Sequence, residues 1–200
     1  MTDVSRTLLV RSLMLLLPML SSASAMSAEP PLVGREQVNA TLWMQRAAEY
    51  EMSTLQVYRL ATERLSTTIA APGSAVLEQR SLDPQRLAAM PTAIIVDLDE
   101  TVLDNSFYQA RRALVGGEYD EPSWQVWMRE ASAPAIAGSV EFLQAASRAG
   151  HKIFYVTNRE CRPADAQPDD PCPARTATHR NLQALATKRE GTGFRCIRQT

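Results

Sequence analysis

Histidine, cysteine and excess charge of either sign are all scarce in this 200-residue chain. Two histidines and three cysteines leave little for a zinc centre, and neither histidine stands at ligand spacing from a cysteine. With 21 Lys+Arg against 22 Asp+Glu, no strong field draws a nucleic-acid polymer or an anionic membrane surface. Internal repeats and low-complexity tracts are absent. What is there is ordinary globular material, 45% hydrophobic, of a length that suggests one domain.

Residues 1–25 read as a secretory signal peptide. Arg6 and Arg11 give a positive start, Leu13 to Leu20 an apolar centre, and Ala23-Ser24-Ala25 a small-residue cleavage site. The segment is too short and wrongly flanked for a stable membrane span, and no cysteine near the cleavage point is placed to carry a lipid anchor. The expectation is an exported protein, periplasmic or secreted, with residues 26–34 as a flexible leader. An oxidising compartment favours a disulfide between Cys161 and Cys172, which flank a Pro- and Asp-rich segment. The alternative is three unrelated thiols.

One stretch carries chemistry. Ile94 to Asn105, IIVDLDETVLDN, reads as a buried strand running into Asp97 and Asp99, followed by Thr101 and then Asp104-Asn105. Residues i and i+2 of a strand face the same way, so the two carboxylates can share a site while Leu98 points elsewhere. At such close range they repel unless a cation or a proton lies between them. Asp-x-Asp alone is common; Asp-x-Asp-x-Thr directly after Ile-Ile-Val is much less so.

Around it the chain reads as α/β. Apolar residues from Arg35 to Ala70 (Val38, Leu42, Tyr50, Leu55, Tyr58, Leu65, Ile69) recur at helical intervals, giving one long helix or two with one buried face. Asp83-Pro84 predicts an N-cap and a short helix to about Met90. Thr92–Val96 is a strand, Ser106–Leu114 a helix stopped by Gly116-Gly117, and Trp124, Trp127 and Met128 form either an apolar helix face or a lid. Ser139–Ala149 is a helix, Lys152–Val156 a second strand ending in Thr157-Asn158-Arg159, and Ala174–Leu185 a last helix. Strand, helix and strand make a βαβ unit and a parallel pair. Asp97 and Asp99 would then share one sheet edge with Thr157 and Asn158, where open α/β sheets bind ligands. A carboxylate nucleophile, a second carboxylate as acid/base and a hydroxyl donor are parts of a phosphoryl-transfer site.

These motifs carry a family resemblance. VDLDETVLDN followed by VTNR is similar to the haloacid dehalogenase superfamily and, more narrowly, to the bacterial class C acid phosphatases of the lipoprotein 5′-nucleotidase type. The likeness runs from about Asn39 to Leu185, through NATLWMQRAAEY, WQVWM, PAIAGSVEF and FYVTNREC. It implies a doubly wound parallel sheet of the dehalogenase-like kind with an N-terminal helical segment, residues 35–70, ahead of a catalytic part, 91–185. It implies a Mg²⁺-dependent phosphomonoesterase acting on nucleotides and other small phosphate esters. By position Asp97 resembles the nucleophile and a metal ligand, and Asp99 the acid/base that also binds metal through its main-chain carbonyl. Thr157 and Asn158 resemble the phosphate-binding motif. Asp104 and Asn105 order the catalytic turn or cap the next helix, and Arg159 reads as a surface arginine rather than a phosphate contact. His151 and His179 read as structural or surface residues.

Two parts of the family pattern are missing: a lysine that stabilises the phosphoryl group and a later pair of aspartates that completes the metal site. Lys188 stands outside the expected context, and Asp169-Asp170 falls among prolines in the Cys161–Cys172 segment, a solvated loop. Residues 186–200 carry no apolar run for a further strand, and two strands are fewer than the four or more of a doubly covered parallel sheet. The expectation is a chain that stops early or shifts frame near residue 186. An active phosphatase therefore stands against a truncated non-catalytic product and against a binding module that uses the N-terminal helices. Oligomeric state stays open.

Overall fold

The computed structural model describes residues 36–70, 81–187 and 195–196. Residues 1–25, read above as a signal peptide, residues 26–34, read as a leader, residues 75–80 and Lys188 lie outside them. The elements, in order, are α1 (Glu36–Arg46), α2 (Ala48–Ala70), α3 (Pro84–Ala88), β1 (Ala93–Val96), α4 (Ser106–Leu114), α5 (Glu121–Glu130), α6 (Ser139–Arg148), β2 (Lys152–Tyr155), α7 (Pro173–Thr187) and β3 (Arg195–Cys196).

β1 and β2 pair in parallel, Ala93 opposite Lys152 through Val96 opposite Tyr155. The crossover passes through α4, α5 and α6, and α6 packs on β2. The shared register ends both strands at one level, which carries Asp97–Asp99 and Thr157–Asn158 to the same edge.

Local sequence sets the helix ends. Asp120 caps α5, its carboxylate accepting from the Ser123 N–H at 2.9 Å, with Pro122 in the first turn where a missing N–H costs nothing. Gly116 closes α4 at positive φ. Asp83 stands at the N-cap of α3, but its side chain makes no capping bond.

The core forms directly behind the acidic turn. Leu98, Val102 and Leu103 are fully buried and pack with Tyr108, Trp127, Leu143, Tyr155 and Leu182; Tyr58, Leu65 and Ile94 cover the cluster. Apolar and acidic residues thus alternate through the motif, so burying one set anchors the other at the surface. Trp127 is core and Trp124 half-buried, which resolves the α5 aromatics mainly in favour of packing.

Three expectations need correction. β1 is not a buried strand: Ile95 is 62% exposed, because β1 lies at an edge of the described sheet and the helices cover the face that Ile94 and Val96 share. A third strand exists: β3 pairs in parallel with β2, Phe154 opposite Arg195 and Tyr155 opposite Cys196. Ladder pairing is a main-chain property and needs no apolar run, which is why hydropathy missed it. The N-terminal helices break at Ala47 and do not bury one continuous face. Tyr58, Ala61 and Leu65 reach the core, while Leu42 (52%) and Leu55 (36%) are exposed and Trp43 lies edge-on to Tyr50. Periodicity marks which residues share a face, not how much of that face finds a partner.

Candidate active site

The turn after β1 is wound tightly on one carbonyl. Leu98 O accepts from the N–H groups of Thr101, Val102 and Leu103 at 3.3, 2.8 and 2.8 Å, whereas the Asp99 carbonyl takes none of the turn's backbone bonds. Glu100 has φ 54°, a left-handed conformation that costs a non-glycine residue about 1–2 kcal/mol. Strain of this kind persists where surrounding contacts fix it. Here the Glu100 N–H donates to Leu103 O at 2.9 Å and its carboxylate accepts the Asn105 N–H at 3.0 Å. The Glu100 side chain reaches solvent on one side. Even so, desolvation raises its pKa, opposed by the hydrogen bonds from Asn105 and reinforced by the charges of Asp99 and Asp104. From α2, the Tyr58 hydroxyl donates to the Thr101 carbonyl.

The two aspartates differ sharply in environment. Asp97 is exposed, and among the described residues its carboxylate has no hydrogen-bond or ion-pair partner. Asp99 is held by two residues. Arg159 Nη2 donates to Oδ1 at 2.6 Å, Arg159 Nε donates to Oδ2 at 3.0 Å and to Oδ1 at 3.2 Å, and Asn105 Nδ2 donates to Oδ1 at 2.9 Å.

Arg159 is therefore not the surface arginine the sequence suggests. Its side chain is 3% exposed, its Nη1 donates to Thr178 Oγ1 on α7 at 3.0 Å, and its guanidinium lies over the Trp124 ring at 5.5 Å. No local signal could have shown this, since the partner carboxylate is 60 positions away.

Asn105 stands at the N-cap of α4 without making a side-chain cap. Its amide instead bridges Asp99 and Trp127, accepting from Trp127 Nε1 at 2.8 Å. Asp104 takes the local role, accepting the Ser106 N–H at 2.8 Å. Thr157 Oγ1 accepts the Arg159 N–H at 3.2 Å, and Asn158 is exposed. Cys161 and Cys172 are bridged, tying the segment after β2 to the start of α7. Asp169 is exposed, while Asp170 accepts the Cys172 N–H at 3.0 Å, so this pair serves the loop and not the site. His151 Nδ1 is 2.6 Å from Thr92 Oγ1, beside the start of the strands.

Asp97 and the Asp99 carbonyl offer hard oxygen donors of the kind a small divalent cation takes alongside retained waters. Among the described residues no group of three or more His, Cys, Asp or Glu side chains converges on a metal position, so the protein ligands seen here form a partial set.

The family described as HAD superfamily, subfamily IIIB (Acid phosphatase) matches residues 21–185, well over half of the chain. The chain belongs to that family. Among solved structures it resembles the class C acid phosphatase of Bacillus anthracis with tungstate bound, at 29% identity and a TM-score of 0.60, over 78% of this chain and 54% of that one. A second structure of the class C acid phosphatase from Bacillus anthracis gives 30% identity and a TM-score of 0.57, over 76% and 53%. Acid phosphatase 1 of Solanum lycopersicum is 31% identical over 68 residues, 34% of this chain and 27% of that protein. The chain thus spans about half the length of the solved acid phosphatases it matches. The fold is the α/β fold of this family, mostly helical with a small parallel sheet.

Proposed function

We propose that this protein is an exported, Mg²⁺-dependent acid phosphatase that hydrolyses phosphate monoesters such as nucleotide monophosphates through an aspartyl-phosphate. The observation that carries the reading is the asymmetry of the two strand-end carboxylates. Among the described residues Asp97 is unpaired and open to solvent, while Asp99, two residues on, is fixed by buried donors. An unencumbered carboxylate suits a nucleophile, and a held one suits proton transfer. The tungstate bound in the Bacillus anthracis relative supports a site for phosphoryl groups in this family.

An Asp97 carboxylate oxygen attacks phosphorus in line with the departing ester oxygen. Asp99 delivers its proton to the leaving alkoxide, which departs as the alcohol. Asp99, now a carboxylate, takes a proton from water, and the resulting hydroxide attacks the aspartyl-phosphate. Phosphate leaves, and both aspartates return to their starting states. Thr157 and Asn158, at the end of β2, orient the phosphoryl oxygens. The Asp97 carboxylate and the Asp99 carbonyl would hold Mg²⁺, which would supply positive charge to offset the repulsion between carboxylate and phosphate dianion. An N-terminal fragment mass beginning near residue 26 in exported material supports export; one beginning at Met1 removes that part.

The test is hydrolysis of p-nitrophenyl phosphate and of nucleotide monophosphates by the full chain, with Mg²⁺ and after chelation. Turnover should require the metal, and Asp97→Asn should abolish it while the far-UV circular dichroism stays intact. Retained activity in that variant refutes Asp97 as nucleophile. A non-catalytic reading has the partial ligand set of the described residues in its favour; it predicts phosphate binding without release of product, so measured turnover removes it.

A further inference from the structure

We propose that Arg159 is a positioning residue that, seated by Thr178 and Trp124, turns Asp99 so that Oδ2 is its proton-exchanging atom. The inference rests on the phosphatase reading above and adds which atom works and what holds it.

The hydrogen-bond distribution on Asp99 is uneven. Oδ1 receives Arg159 Nη2 at 2.6 Å, Asn105 Nδ2 at 2.9 Å and the longer contact from Arg159 Nε at 3.2 Å. Its lone pairs are taken. Among the described residues Oδ2 receives Arg159 Nε alone, at 3.0 Å, so a carboxylate oxygen with room for two donors keeps one position open. A two-point guanidinium contact fixes the carboxylate plane as well as its distance, which a single ammonium does not.

Arg159 is in turn fixed from two further elements. Thr178, 3% exposed on α7, accepts from Nη1 at 3.0 Å, and Trp124 of α5 lies under the guanidinium. Nη1 is the arm that does not reach Asp99, so Thr178 sets the rotation of the fork without competing for the carboxylate. The Cys161–Cys172 bridge begins two residues beyond Arg159 and ends next to α7, keeping the strand end and Thr178 on one short tether. The same strand end carries Thr157, whose hydroxyl accepts the Arg159 N–H.

Leaving-group chemistry separates positioning of an acid from general damage. A p-nitrophenolate leaves without a proton, whereas the alkoxide of β-glycerophosphate needs one in the transition state. The value of kcat/KM reports the step that breaks the ester bond. In Arg159→Gln, kcat/KM for β-glycerophosphate should fall about 100-fold, the scale of a misplaced catalytic group, while that for p-nitrophenyl phosphate falls less than about fivefold. Thr178→Val should show a smaller loss with the same selectivity, and it carries the test if Arg159→Gln does not fold. Equal losses on the two substrates, or no loss on β-glycerophosphate, overturn the proposal. A wild-type chain that hydrolyses neither substrate refutes the phosphatase reading itself, a separable outcome.

Discussion

Replacing Asn105 with alanine tests the idea that the acidic turn is held from behind by a buried polar bridge. Asn105 is 1% exposed. Its amide donates to Asp99 at 2.9 Å and accepts from Trp127 Nε1 at 2.8 Å. Truncation strands the indole N–H of a tryptophan that is itself 4% exposed, and leaving a buried donor unmade costs about 1–3 kcal/mol. The bond to Asp99 has a charged acceptor but leaves that carboxylate with Arg159, so its loss adds about 1 kcal/mol. The expected total is roughly 2–4 kcal/mol, a fall in Tm of about 5–15 °C for a domain of this size. Urea denaturation followed by far-UV circular dichroism measures it. Trp127→Phe removes the same bond from the other side. The double variant should lose about 1 kcal/mol less than the sum of the two singles, because neither polar group is then left without its partner. Strict additivity, or a loss below about 0.5 kcal/mol for Asn105→Ala, refutes the bridge as a stabilising element.

Gly138 has φ 88° before α6, and a Cβ there would lie 2.9 Å from Tyr58 Cβ, so Gly138→Ala should cost about 2–4 kcal/mol. Gly150→Ala, at φ 90° with open space around it, should cost only about 1 kcal/mol in the same denaturation assay; equal costs would remove the Tyr58 contact as the cause. Reducing Cys161–Cys172, a sequence separation of 11, should lower stability by about 2–3 kcal/mol, and unreduced protein treated with an alkylating reagent should label neither cysteine. The Tyr119 hydroxyl, with its pKa pushed up to about 12 by desolvation first and then by its bond to Glu121, should titrate late in a spectrophotometric comparison of wild type with Tyr119→Phe. Glu121→Gln should bring that titration earlier. Because the folded-state value lies above the ordinary one near 10, the contribution is intact below pH 10 and is lost as pH rises through about 12.

The sequence alone was enough for the motif, the helices that follow it and the parallel pairing of its strand, because these rest on local signals. Period-2 placement set Asp97 and Asp99 apart from Leu98, Gly116 stopped α4, and the βαβ order required a parallel neighbour. Chain order also put Thr157 and Asn158 near the acidic residues, since both strands end at one edge. Only tertiary structure decided which polar groups meet. Arg159 looked like a surface residue because its partner is 60 positions away, and a charged side chain in sequence carries no mark of being buried. Asn105 read equally as a helix cap and as a residue ordering the catalytic turn, and its place between Asp99 and Trp127 depends on where Trp127 of α5 comes to lie. The exposure of Ile95 and Leu42, and the pairing of Arg195–Cys196 with β2, likewise depend on neighbours contributed by other elements. Period and chemistry are written residue by residue, whereas burial and pairing are properties of two surfaces at once.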